Sequence, residues 1–214
     1  MINCCPHAKS GAKVFDRRAK RYRKRFEKKG FEGSQRQLQK QITDQGVIEA
    51  TVLEIGSGVG FFHQQLIKSG AASATGIDLS DKMVEQARQS ADSLDLADRC
   101  TYIVGDFMQS ADQLSEADIT ILDKVFCCYP DVVGLAQTSA ALTRKVFAFT
   151  LPRNTLFNRI AEKIGTLLMR LLRSDFRPYV HSPDLIENLL VKAGFKRVAE
   201  GTTVLWLSRT YIRI

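Results

Sequence analysis

From residue 51 to residue 150 short apolar runs alternate with segments that repeat at helical spacing. The runs 51–55 (TVLEI), 73–77 (SATGI), 100–104 (CTYIV), 118–123 (DITILD) and 145–150 (KVFAFT) read as strands, and the stretches near 60–69, 81–91 and 131–141 as helices. Unbroken apolar strands separated by helices imply a parallel sheet covered on both faces, hence a three-layer αβα sandwich. The C-terminal rhythm differs. A helix at 183–193 is followed by two extended runs, 195–200 and 203–213, with a turn expected at Gly201-Thr202. They are too close for a crossover helix, so they should pair antiparallel. The expected fold is α/β, a Rossmann-like, mostly parallel seven-stranded sheet ending in an antiparallel hairpin.

Two further patterns lie outside this alternation. Residues 12–29 read as one basic helix on which Phe15, Tyr22 and Phe26 share a face, and a short helix is expected over 34–43. Residues 154–173 place Leu156, Phe157, Ile160, Ile164, Leu167, Leu168, Leu171 and Leu172 on one half of a helical wheel. Arg159, Glu162, Lys163, Arg170 and Arg173 fall on the other half. The first expectation is that this apolar face packs on the domain or on a dimer partner. A substrate lid and contact with an anionic membrane surface are the competing readings.

Charge sharpens the division. The chain of 214 residues carries a formal net charge of +8, yet residues 1–40 alone hold 13 Lys or Arg against 3 Asp or Glu. The basic character therefore belongs to an arm, and we divide the chain into a basic helical arm or lid (1–44) and an α/β domain (45–214) with a helical insertion at 152–178. Clustered cations with aromatics suit phosphates and bases, but one-faced aromatics suit a helix docked over a pocket better. Five cysteines, an odd number without a C-x-x-C, argue for reduced thiols and a cytoplasmic setting. Cys4, Cys5 and His7 read as a polar terminus rather than a metal clip, and no metal site is expected.

The candidate chemistry starts at Glu54-Ile55-Gly56-Ser57-Gly58-Val59-Gly60, where a strand runs through three alternate glycines into a helix. The dinucleotide fingerprint is G-x-G-x-x-G, whereas here Phe61 stands at the third fingerprint position and Glu54 precedes the loop. The glycine that would let helix and strand pack closely is therefore expected to be missing. A carboxylate there suits an ammonium and not a pyrophosphate. The next strand ends at Asp78, 22 residues past Gly56, where a carboxylate can accept from both hydroxyls of a ribose. The third ends Gly105-Asp106-Phe107, although an Asp at that place can simply cap the following helix.

The E-x-G-x-G-x-G loop resembles motif I of class I methyltransferases that use S-adenosylmethionine (SAM), and Gly76-Ile77-Asp78-Leu79-Ser80 through Met83 resembles their second motif. The resemblance implies SAM as cofactor, held by Glu54, Gly56, Ser57, Gly58, Gly60, Asp78 and Leu79. It further implies that Met83, Asp106 and Phe107 lie around the adenine, and it makes the basic arm a lid over the cofactor. Tyr129-Pro130, the run FAFTLPRNTLFNRI at 147–160 and Phe176-Arg177-Pro178-Tyr179-Val180-His181 are similar to the magnesium-protoporphyrin O-methyltransferases. In that family a histidine precedes the Tyr-Pro pair, and here Cys128 stands in its place.

Ligands meet at the carboxyl ends of the strands in such a sheet, so the segment after the fourth strand, 123–129, should face the acceptor. His181, Tyr129 and Asp123 are the catalytic candidates, with a cap next to Ser182-Pro183 as the competing role for His181. His63 is expected on the helix surface, and Cys127 and Cys128 are expected as small buried groups. The segment lacks the N-P-P-Y pattern of many nucleic-acid N-methyltransferases. The expected activity is methyl transfer to a small, apolar acceptor on oxygen or carbon, by a monomer or homodimer. The rival readings are RNA or protein methylation through the basic arm, a SAM-binding subunit without catalysis, and an NAD-dependent oxidoreductase.

Overall fold

The computed structural model describes residues 6–172 and 174–214, with side chains from Ser10 onward, so Cys4, Cys5, the His7 side chain and Arg173 lie outside the described residues. Three helices open the chain: α1 (Pro6–Asp16), α2 (Ala19–Lys29) and α3 (Gly33–Thr43). The α/β alternation follows as β1 (Thr51–Ile55), α4 (Phe61–Lys68), β2 (Ser73–Asp78), α5 (Asp81–Ser93) and β3 (Cys100–Val104). It continues with α6 (Phe107–Ser110), β4 (Ala117–Asp123), α7 (Val132–Ala141) and β5 (Thr143–Pro152). Last come α8 (Leu156–Leu171), α9 (Pro183–Lys192), β6 (Phe195–Thr202) and β7 (Trp206–Arg213).

The seven strands lie in the order β3-β2-β1-β4-β5-β7-β6, with β7 antiparallel to both neighbours. Helices α3, α4 and α5 cover one face, burying Leu38, Ile42, Leu66 and Ala87 against Val52, Ile121 and Ala148. Helices α6, α7 and α9 cover the other, burying Leu135, Ile186 and Leu190 with Phe147, Phe149 and Tyr211. The sandwich expected from the apolar runs is thus formed, and strand order reverses between β1 and β4, which opens a crevice at the carboxyl ends of those strands. Among the described residues no helix is long and apolar enough to cross a membrane.

Four expectations are corrected. The basic stretch 12–29 is two helices, because the chain turns through Arg17 and Arg18, where Arg18 N–H closes on Phe15 O at 2.9 Å. A straight helix of that length would run about 27 Å; the break lets α1 and α2 wrap a rim instead. The terminal hairpin turns at 203–205, since Gly201 and Thr202 still pair with Ser208 and Leu207 in the ladder. The close-packing glycine is present after all: Gly60 has φ 75°, and a Cβ there would meet Gln64 Nε2 at 2.9 Å, Tyr102 Oη at 3.0 Å and Ala87 Cβ at 3.1 Å. We expect Gly60→Ala to cost about 2 kcal/mol and lower Tm by roughly 4–8 °C in a thermal melt.

The fourth concerns α8. Its apolar face does not pack on the domain. Leu156, Phe157, Ile160, Ile164, Leu167, Leu168 and Leu171 are all exposed, and the opposite side, with Asn158, Glu162, Gly165, Thr166 and Met169, rests on the protein. Asn158 is buried and donates to Arg153 O and Leu205 O, so a polar side chain and not a leucine anchors the helix.

Candidate active site

A cavity of about 640 Å³ opens at the carboxyl ends of β1, β2 and β4, within the size range of small-molecule sites. The glycine loop forms its floor. Gly56 (φ 65°), Gly58 (φ 52°) and Gly60 (φ 75°) are all left-handed, a conformation that L side chains rarely adopt. At Gly56 a Cβ would stand 2.5 Å from Val125 Cγ2, whereas at Gly58 it would meet nothing within 4 Å. Gly56, Ser57 and Gly58 line the cavity, and Gly60 turns away from it toward α5.

Asp78, at the tip of β2, fixes the loop: its Oδ2 accepts from Gly58 N–H and its Oδ1 from Ser80 N–H, both at 2.8 Å. Burial pushes its pKa up to about 6; the two amides oppose that rise, while Glu54 and Asp16 add to it. Leu79 and Met83 lie on the same wall. Asp106 lines the cavity too, and it also caps α6, accepting from Met108 N–H at 3.0 Å. It is therefore a helix cap, one of the two roles weighed for it from sequence, that also stands on the cavity wall. Phe107 sits beside it.

Glu54 is 3% exposed and shares its Oε2 between the N–H of His63, at 3.1 Å, and His63 Nδ1, at 2.6 Å. His63 is fully buried, contrary to its expected surface position, and its Nε2 lies 3.0 Å from Tyr102 Oη. Burial disfavours the charged ring, but Cys100 and Glu54 outweigh it and raise the His63 pKa to about 9. Burial also raises Glu54. Both directions mean that the pair keeps a proton through neutral pH, so no bare buried anion faces the core.

The side of the cavity facing the cofactor loop is built from the end of β4 and the N-terminal helices. Asp123 accepts from Gln35 Nε2 and Thr150 Oγ1, both at 2.6 Å, and burial raises its pKa, with Glu32 adding to the rise. Lys124 adopts φ 60°, a strained setting for a lysine, which carries its ammonium to Glu32 and over the Trp206 ring at 4.8 Å. Tyr129 donates from Oη to Asp106 Oδ1 at 3.1 Å, linking the segment after β4 to the β3 end. Phe15, Tyr22 and Phe26 roof the cavity from α1 and α2, joined by Arg18, Arg21 and Arg25.

His181 is not on the cavity wall. Its Nε2–H donates to Tyr129 O at 3.0 Å and its ring stacks on Tyr179, so it stands behind Tyr129. Cys127 and Cys128 are half-buried with sulfurs 3.6 Å apart; the Cys128 thiol and burial push Cys127 well above the usual range, away from thiolate chemistry. Among the described residues no cluster of His, Cys, Asp or Glu is placed to hold a metal ion.

Sequence reasoning missed Gln35, Glu32 and the three arginines, and it had Lys124 only as part of the segment 123–129. The capping box Glu32–Gln35 was a readable helix-start signal, but nothing local tells that it closes on β4.

These features fit SAM. A glycine floor open at Gly58, a carboxylate anchored at Asp78 with its side chain on the wall, and a buried Ser57 Oγ without a partner among the described groups leave room and polarity for a nucleoside and an amino-acid cation. The comparisons agree. Residues 52–145 match the family model described as a methyltransferase domain. No curated protein matches by sequence. Among solved structures, magnesium protoporphyrin IX methyltransferase from Synechocystis PCC 6803, with bound S-adenosylhomocysteine (SAH), is similar at TM-score 0.74 and 21% identity, over 97% of this chain and 100% of that one. A chain from a complex between the Haloferax volcanii Trm112 methyltransferase activator and a methyltransferase is similar at TM-score 0.70 and 17% identity, over 94% and 96%. A SAM-dependent methyltransferase from Mesorhizobium loti is similar at TM-score 0.58 and 19% identity, over 78% and 92%. Residues 52–145 thus match a methyltransferase domain, and the chain has the fold of SAM-dependent methyltransferases.

Proposed function

We propose that the enzyme methylates a small acceptor with an apolar body, on oxygen or carbon. One observation carries this: the cofactor residues Gly58, Asp78 and Asp106 and the aromatic roof of Phe15, Tyr22 and Phe26 bound the same cavity. Bound SAM supplies a methyl group made electrophilic by its sulfonium. In this reading Asp78 holds the ribose, Asp106 and Phe107 the adenine, and Glu54 with the loop amides the amino-acid end. The roof excludes water and holds the acceptor in line, which for a displacement accounts for much of the rate. Arg18 and Arg21 receive a polar edge of the acceptor.

Asp123 is the base we assign where the acceptor must lose a proton, because its raised pKa brings it nearer the working range and Gln35 and Thr150 fix its oxygens. Tyr129 orients the acceptor from the opposite side. His181 acts as a positioning residue for Tyr129 through that residue's carbonyl.

Three of the arm's four aromatics, Phe15, Tyr22 and Phe26, turn inward onto the cavity and Phe31 is buried, leaving its outward cations without interleaved rings, so the stacking half of a nucleic-acid site is missing. The test is transfer from methyl-labelled SAM to a panel of phenols, quinols and magnesium protoporphyrin IX, run beside RNA and protein. Label in an organic-soluble product is the expected result. Label confined to RNA or protein overturns the reading, and SAM binding with no transfer to any of them makes the chain a non-catalytic subunit.

A further inference from the structure

Helix α8 presents an apolar surface to solvent that the methyl-transfer site does not use. Phe157 and Leu171 are 67% and 71% exposed, and Ile160, Ile164, Leu167 and Leu168 fill the stripe between them. The hairpin turn lies against the inner side of the helix, where Leu205 O accepts from Asn158 Nδ2 at 3.0 Å, and Val204 beside it is 83% exposed. Along one edge of the stripe stand Arg159, Lys163 and Arg170, all exposed. The only acid of the helix, Glu162, lies toward the packed side. A continuous apolar strip of this length on a monomer calls for an occupant.

We infer that α8 docks the enzyme on an anionic lipid surface, with the apolar stripe in the acyl boundary and Arg159, Lys163 and Arg170 among the headgroups. An apolar stripe bordered by cations is the pattern of a helix lying in the plane of a membrane interface. A second copy of the chain is a poorer match. In an antiparallel two-fold pair the cationic edge meets its own copy, and in a parallel pair it meets the Ala161 and Leu172 edge; neither brings a carboxylate. Anionic headgroups supply the missing counter-charge. The anchor also fits: Asn158, Gly165, which lies against Pro178, and Thr166 hold α8 by its polar side, so docking needs no rearrangement.

Docking would bear on the cavity roof through the chain that follows α8. Phe176 meets Phe15 edge-on at 5.8 Å, Asp175 N–H donates to Ser10 Oγ at 3.3 Å, and Tyr179 N–H donates to Cys127 O at 2.8 Å. The strap from α8 thus grips α1 on one side of the cavity and the β4 end on the other. The inference itself holds whatever the acceptor proves to be.

Co-sedimentation of the full chain with vesicles tests it. We expect binding to vesicles of phosphatidylcholine and phosphatidylglycerol in equal parts, weakened by salt, and little binding to phosphatidylcholine alone. Ile160→Glu with Leu167→Glu should reduce it to background, and reversing Arg159, Lys163 and Arg170 to Glu should weaken it about a hundredfold. All five positions are exposed, so unchanged SAM binding in the variants serves as the folding control. Failure to sediment with the mixed vesicles overturns the proposal, as does sedimentation that these variants leave intact. So does a dimer in analytical ultracentrifugation that the Ile160 and Leu167 changes dissolve, which would make α8 a self-association face.

Discussion

Asp78→Ala should weaken SAM binding at least a hundredfold while the chain stays folded. The carboxylate has two duties. It accepts from Gly58 and Ser80, which holds the glycine floor in its left-handed course, and it stands on the cavity wall where a ribose would donate to it. Hydrogen bonds to a charged acceptor contribute about 1.5–3 kcal/mol each, and a pair of them corresponds to two or more orders of magnitude in affinity. The pH dependence has a definite sign. Free Asp78 titrates at about 6 because it is buried, and hydroxyls donating to the carboxylate lower that value in the complex. Affinity should therefore be full above pH 7 and fall as pH drops through about 6. Asp78→Asn should flatten this profile as well as weaken binding; a mutant that keeps the wild-type slope would place the titration elsewhere.

Asp123→Asn should lower kcat by about 10²–10⁴ for an acceptor that gives up a proton, leaving SAM affinity within a few-fold. Amide for carboxylate keeps the volume and one accepting oxygen for Thr150, but it turns a donor toward Gln35 Nε2. A step at the raised Asp123 pKa in the kcat profile of wild type, absent in the variant, would assign the proton to this residue. His181→Ala is the contrasting case. Since His181 stands behind the cavity wall, bonded to the Tyr129 carbonyl and stacked on Tyr179, its loss should shift KM more than kcat, and a kcat loss equal to that of Asp123→Asn would return the base to His181.

What could be read from the chain divides along the reach of each interaction. The strand runs, the glycine loop, Asp78 and the inward set Phe15, Tyr22 and Phe26 were legible because each depends on neighbours within a turn or a strand. His63 was not. Its helix is buried on most of its surface, and the partners that make a buried imidazole acceptable are Glu54 and Tyr102, 9 and 39 residues away. Asp123 could be placed at the crevice by strand order, but its raised pKa comes from burial, with Glu32 far back in the chain adding to it, and its clamp by Gln35 reaches across 88 residues. For α8 the period revealed an amphipathic helix without revealing which side packs. Asn158 and Gly165, an amide and a glycine two turns apart on one line, were the available sign that the polar side would be the inner one. The left-handed Lys124 gave no signal in the sequence at all.

The most direct test of the account is calorimetric titration of the purified chain with SAM, its demethylated product SAH, and NAD. Micromolar-range heats with SAM and SAH and none with NAD are the predicted result, because the floor is open at Gly58, Asp78 stands on its wall and Phe61 stands where the dinucleotide fingerprint has its third glycine. Binding of NAD without SAM or SAH would contradict it and make the same glycine loop a dinucleotide site.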